Sequence, residues 1–159
     1  MATPLLDHEI LRLDNSNYMK LVLATLQHLK NLSVTNYPDL FDEMNASVYI
    51  ESSSKEKVQF KFRSDNILSC SGNFSFKHSK LDSFTYTIKP ASYFKKRICK
   101  KQYQRIVAML AKISDAEGGG VETITDTAAK FSLRNGSLSV IGGPHMLTGT
   151  HMITITFTK

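Results

Sequence analysis

Val58-Gln59-Phe60-Lys61-Phe62-Arg63 alternates an apolar with a polar side chain at every step. That is the period of a strand with one packed face and one wet face. The same period continues on both sides. Leu68, Cys70, Gly72, Phe74 and Phe76 alternate with Ser69, Ser71, Asn73, Ser75 and Lys77, and Gly72 in mid-strand reads as a bulge or bend. Phe84, Tyr86 and Ile88 alternate with Thr85, Thr87 and Lys89, and upstream Val48 and Ile50 alternate with Ser47, Tyr49 and Glu51. Four consecutive strands of this kind predict an antiparallel meander with one face in the core. Its wet face carries Lys61, Arg63, Lys77 and Lys89.

Beyond Pro90, which ends the fourth strand, the period changes to that of a helix, expected over Ser92–Ser114 and about 34 Å long. Ile98, Cys99, Tyr103, Ile106, Met109, Leu110 and Ile113 fall on one half, and Arg97, Lys100, Lys101, Arg105 and Lys112 on the other. Gly118-Gly119-Gly120 reads as a flexible break. Strands resume at Val121–Thr125 and Ala129–Arg134, and Asn135-Gly136 is a hairpin signal, expected as a type I′ turn with Leu133 opposite Leu138 and Phe131 opposite Val140. The last strand is expected over His151–Thr158. On the N-terminal side, Thr3-Pro4 opens a helix with Leu6, Ile10 and Leu13 on one face, and Met19, Val22, Leu23, Leu26 and Leu29 mark a second helix to about Lys30. A further helical turn is expected at Asp39–Asp42.

The order is helices, four strands, a long cationic amphipathic helix, then three to four more antiparallel strands. One α+β domain over residues 1–159 is the expected architecture, with a sandwich of two sheets as the alternative. Phe60, Phe62, Phe74, Phe76, Phe84, Ile106, Leu110, Ile155 and Phe157 are the expected core. No internal repeat stands out in the sequence.

The chain has 159 residues, enough for one domain with a substantial core. No apolar run approaches the roughly 20 residues of a membrane-spanning helix. The N-terminus has neither a basic start nor an apolar signal core, so an intracellular protein of cytoplasm or nucleus, not a secreted one, is expected. Cys70 and Cys99 form no disulfide framework and match no zinc spacing.

The informative feature is where the charge sits. Residues 1–56 hold four basic and eight acidic residues, residues 57–112 thirteen basic and two acidic, and residues 113–159 three basic and four acidic. Between Ser83 and Ser114 there is no acidic residue, while Lys89, Lys95, Lys96, Arg97, Lys100, Lys101, Arg105 and Lys112 all fall there. Lys96–Lys100, Arg97–Lys101 and Lys101–Arg105 are like-charge pairs four residues apart, each costing a helix about 0.2–0.5 kcal/mol. A face that served solubility alone would mix the signs.

Catalytic motifs are absent. No Gly-x-Ser-x-Gly elbow frames a serine, and the glycines at 118–120 and 142–143 fit neither a phosphate-binding loop nor a dinucleotide fingerprint. His145 and His151 flank a loop without a third ligand, Cys99 reads as a buried small hydrophobe, and the Asn-x-Ser triplets at Asn31, Asn45, Asn73 and Asn135 read as coincidence. No cofactor or metal is implied, and no enzyme is expected.

The expected function is non-enzymatic nucleic-acid binding through phosphate contacts that do not depend on base sequence. Lys61, Arg63, Lys89, Lys95, Lys96, Arg97, Lys100, Lys101 and Arg105 are the candidate contacts. Tyr86, Tyr93, Phe94 and Tyr103, interleaved with them, favour a single-stranded ligand if exposed. Residues 95–101 also have the composition of a nuclear-import cluster. The alternative is a structural or assembly protein, viral among the options, or a peripheral membrane protein. Its basic surface would then meet anionic lipid or the acidic N-terminal third of another copy in a homo-oligomer.

Overall fold

The computed structural model describes residues 22, 24–29, 31–43, 48–63, 68–90, 95–144 and 151–159. The expected helix over residues 3–13 lies outside them, as do Met19 and Leu23 of the second helix. Val22 and residues 24–27 are helical. A short helix, α1, follows at Tyr37–Glu43, where the helical turn was expected.

The strands form one eight-stranded antiparallel sheet, so the sandwich is not adopted. In chain order they are β1 (Val48–Ser53), β2 (Lys57–Arg63), β3 (Leu68–Lys77), β4 (Lys80–Pro90), β5 (Gly120–Ile124), β6 (Ala128–Leu133), β7 (Gly136–Pro144) and β8 (His151–Thr158). The long helix, α2, spans Lys95–Ala116 between β4 and β5. The spatial order β1-β2-β3-β4-β8-β7-β6-β5 places the last strand of each meander at the centre, where Thr85 of β4 pairs with Thr156 of β8. Both outer strands carry a register shift at a single glutamate, Glu51 between Ile50 and Ser52 and Glu122 between Val121 and Thr123. The halves thus repeat one plan, a helical segment followed by a four-stranded meander, about a pseudo-twofold axis at the β4–β8 pair. The sequence shows no such repeat.

Register aligns side chains of one kind across the strands. Phe60, Gly72, Tyr86, Ile155, Val140 and Ala129 stand in one row. Val58, Phe74, Phe84, Phe157, Leu138 and Phe131 stand in the next, and every non-glycine member of both rows is buried. Between them Gln59, Asn73, Thr85, Thr156, Ser139 and Lys130 form a polar row on the other face. All nine expected core residues are buried. α1 packs Tyr37 and Phe41 onto Phe74 of the first meander. α2 covers the apolar face of the second, burying Tyr103, Ile106, Val107, Met109, Leu110 and Ile113.

Three turn expectations are corrected. Gly72 is paired in register with Phe60 and Tyr86, and the irregularity in β3 lies instead between Ser75 and Phe76. A Cβ at Gly72 would sit 2.6 Å from the Phe60 ring, so glycine here leaves room for two aromatic rings. The β6–β7 turn is Arg134-Asn135, with Leu133 opposite Gly136 and Phe131 opposite Leu138. Neither turn residue has positive φ, so it is not type I′. A Cβ at Gly136 would collide with the Thr158 carbonyl and lie 2.8 Å from the Phe157 ring, which makes this glycine a strand residue. The register moved by two, so no side chain changed face. The hairpin with positive φ at both turn positions is instead His78-Ser79, at 53° and 69°. Finally, the glycines after α2 are not merely a break. Gly118 takes φ +77°, its N–H bonds to the Asp115 carbonyl at 3.2 Å, and Gly119 bonds to the Ser114 carbonyl at 2.8 Å, which together form a Schellman cap.

Candidate functional site

The core fixes which side of α2 faces outward. With Ile106, Met109, Leu110 and Ile113 fully buried, the residues between them in the helical repeat turn to solvent. Lys100, Lys101, Gln104, Arg105, Ala108 and Lys112 are exposed, and Lys101, Gln104, Arg105 and Ala108 line a shallow depression. Lys95, Lys96 and Arg97 form the first turn, though their side chains lie outside the described part of the structure. The ion pairs among the described residues, Lys61–Glu51 at 2.9 Å and Lys130–Glu122 at 3.6 Å, both lie on the sheet and leave α2 out.

The helix field disfavours this arrangement. The N-terminal end of a helix is its positive end, where acidic side chains are stabilising and cations are not. The first turn of α2 has no acidic residue and the last turn no basic one. Lys95, Lys96 and Arg97 stand in that first turn, whereas Lys100, Lys101 and Arg105 lie beyond it, and the cost they carry is repulsion between like charges four residues apart.

The candidate positions on the sheet lie elsewhere. Lys61 and Lys89 alternate with the buried Phe60, Phe62 and Ile88, so they occupy the polar face, with the sheet between them and α2. One continuous surface of helix and sheet cations is therefore not formed by these two residues. Lys61 is engaged by the bulged Glu51. Arg63 is opposite Ser69, which is opposite Lys89, placing both backbones at the end of the sheet from which the chain leads into α2. The Arg63 side chain is outside the described part.

Of the aromatic residues interleaved with these cations, the described ones supply no stacking surface. Tyr86 is completely buried and Tyr103 nearly so, while Tyr93 and Phe94 are outside the described residues. The Tyr103 hydroxyl donates to the Thr125 carbonyl at 2.9 Å, and burial, then the charge of Asp126, raises its pKa. Near the C-terminal end of α2 the buried Ser114 hydroxyl donates to the Ser132 carbonyl at 2.6 Å and tethers the helix to β6. Sequence reading missed these anchors, because each depends on which residues the folded strands bring beneath the helix.

Among the described residues no group of three or more His, Cys, Asp and Glu is placed to hold a metal ion. Cys70 is buried. His145 and the side chains of Cys99 and His151 lie outside the described part. No described helix is long and apolar enough to cross a membrane. No protein-family model matches the chain, and neither a curated protein nor a solved structure is significantly similar to it.

Proposed function

We propose that the chain binds nucleic acid through the outward face of α2, by phosphate contacts that do not depend on base sequence. The observation that carries this reading is the exposed run Lys100, Lys101 and Arg105 in the N-terminal half of α2, like charges close enough to repel one another, with no ion pair to α2 among the described residues. A cost of this kind is offset when a row of phosphates displaces its counterions onto the helix. Among the described residues, the depression beside Lys101 and Arg105 is shallow and lined by exposed side chains, which suits contacts to the backbone of the ligand rather than to a base. Lys61, already paired with Glu51 and on the far face, has no part in this surface, and with Tyr86 and Tyr103 buried the surface has no stated preference for single strands.

The test is fluorescence anisotropy with single-stranded DNA, RNA and duplex of unrelated sequences, between about 50 and 200 mM salt. Lys100→Glu combined with Lys101→Glu should weaken binding to every sequence alike and reduce the salt slope by about 2. Equal binding by the double variant and its parent at every salt concentration would end this role for α2. If neither protein binds nucleic acid but the variant alone fails to sediment with anionic vesicles, the membrane reading replaces this one.

A further inference from the structure

The described helical segments all lie on one side of the sheet. Thr25 bonds to Tyr86, α1 packs on Phe74, and Tyr103 of α2 meets Gly142, and these three strand residues all belong to the apolar face. The polar face therefore has no described helix over it. One of its rows runs Lys57, Ser75, Ser83, Thr158 and Ser137. The next is the row from Gln59 to Lys130, and a third runs Lys61, Ser71, Thr87 and Thr154 into Ile141 and Ala128. Apart from those last two residues, hydroxyls, amides and lysines fill the rows, and no position in them is acidic.

A wet face that served solubility alone would mix the signs. The acids that border this one are Glu51 and Glu122, drawn to Lys61 and Lys130, and Asp82, the residue without a register partner in β4. Lys55 and Glu56, in the turn before β2, offset each other in charge. Lys57, Lys77 and Lys80 gather at one end of the face, exposed and with no ion pair among the described residues. Lys77 is the register partner of Lys80, and like charges directly opposite each other destabilise a strand pair. The six strands that the rows cross span about 24 Å, the axial length of about seven base pairs.

We propose that the polar face is a second phosphate-contact surface for nucleic acid, with Lys57, Lys77 and Lys80 as its charge and the hydroxyl rows beside them. It faces away from α2, so one chain holds two segments of nucleic acid and bridges them. Phosphate and sugar are met by lysine and by short hydroxyl and amide side chains, which is what these rows offer. A membrane surface would call for apolar side chains set together. The large exposed ones on this face, Tyr49 and Ile141, stand instead on β1 and β7 with four strands between them. The sheet contacts stand apart from the reading of α2, and the bridging rests on both.

The sheet variant combines Lys57→Glu with Lys77→Glu, both at exposed positions, and a thermal melt checks that it is folded. Lys57→Gln with Lys80→Gln serves the same purpose should it fail. Anisotropy with a DNA duplex should give the sheet variant a salt slope about 2 lower than the parent, as for the α2 double variant, and joining the two sets should abolish binding. Bridging is read with a biotinylated duplex on beads and a labelled duplex of unrelated sequence in solution. The parent should capture the labelled duplex, whereas the sheet variant and the α2 variant should each be retained on the beads without capturing it. An unchanged salt slope with full capture in the sheet variant overturns the proposal, whether or not that variant has lost sedimentation with anionic vesicles, which would give the face to membrane. An α2 variant that binds nothing also overturns it, and leaves the reading of α2 standing alone. A sheet variant that binds nothing beside an unweakened α2 variant overturns the bridging through failure of the α2 reading, with the sheet contacts kept.

Discussion

The hydroxyl of Thr25 lies 2.7 Å from the hydroxyl of Tyr86, and both residues are fully buried. This bond joins the N-terminal helical segment to the centre of the sheet, 61 residues further along the chain. Tyr86→Phe keeps the ring and removes this bond, so it should cost about 0.5–1.5 kcal/mol at neutral pH by urea denaturation. Burial also raises the Tyr86 pKa above its ordinary 10.0, by more than the bond to Thr25 lowers it. Below that ordinary value the folded and unfolded chains both hold the proton, and this group adds no pH dependence. Above it the unfolded chain releases the proton first, so stability falls as pH rises. Tyr86→Phe should lose this share of the alkaline decline and keep the share due to Tyr103. Identical alkaline slopes in parent and variant would contradict the assignment.

Phe60 has the Phe41 ring centroid at 4.8 Å and that of Phe74 at 5.0 Å, so it joins the α1 layer to the sheet. Phe60→Ala should cost about 3–5 kcal/mol, and Ile106→Ala on the buried side of α2 about 2–5 kcal/mol. Unchanged melting temperatures in both variants would mean that these faces are not in the core.

Gly118 and Gly120 should respond differently to alanine. Gly118 sits at φ +77°, whereas Gly120 has no positive φ and nothing within 4 Å of an added Cβ. Gly118→Ala should cost about 1–2 kcal/mol through the left-handed backbone, and Gly120→Ala should be close to neutral. Equal costs measured by denaturant titration would argue against the Schellman cap.

The Lys100→Glu and Lys101→Glu double variant should be as stable as its parent or more so. It relieves like-charge pairs four residues apart on α2. A fall in melting temperature would show that these lysines hold the fold rather than serve a ligand.

Much of the fold is legible in local pattern. Alternation from Val58 to Lys89 marks the strands and the buried face, and the spacing of Ile106, Leu110 and Ile113 marks the buried side of α2, hence its cationic outer side. The turn at Arg134-Asn135 was less legible, because Gly136 is required by the closeness of Thr158 and Phe157, which belong to a strand far along the chain. The positive-φ hairpin at His78-Ser79 has no glycine or asparagine to announce it.

The candidate site divides in the same way. That Lys100, Lys101 and Arg105 share one exposed side follows from helical period alone, because the rise and turn of a helix are set within a few residues. That Lys61 and Lys89 lie on the other side of the molecule does not. It depends on which face of the sheet α2 covers, and so on the packing of Tyr103 against Gly142 and of Ser114 against Ser132.

By itself, then, the sequence determined the element types, the apolar face of each and the segregation of charge, since these rest on short-range backbone geometry and on side-chain hydrophobicity. Only the tertiary structure decided that β4 and β8 meet at the centre, that β1 and β5 become the edges, and that the two halves repeat one plan. Strand pairing is a contest between distant segments for the same hydrogen bonds and the same apolar neighbours. Its outcome is set by how all the rows fit together, which no local period encodes.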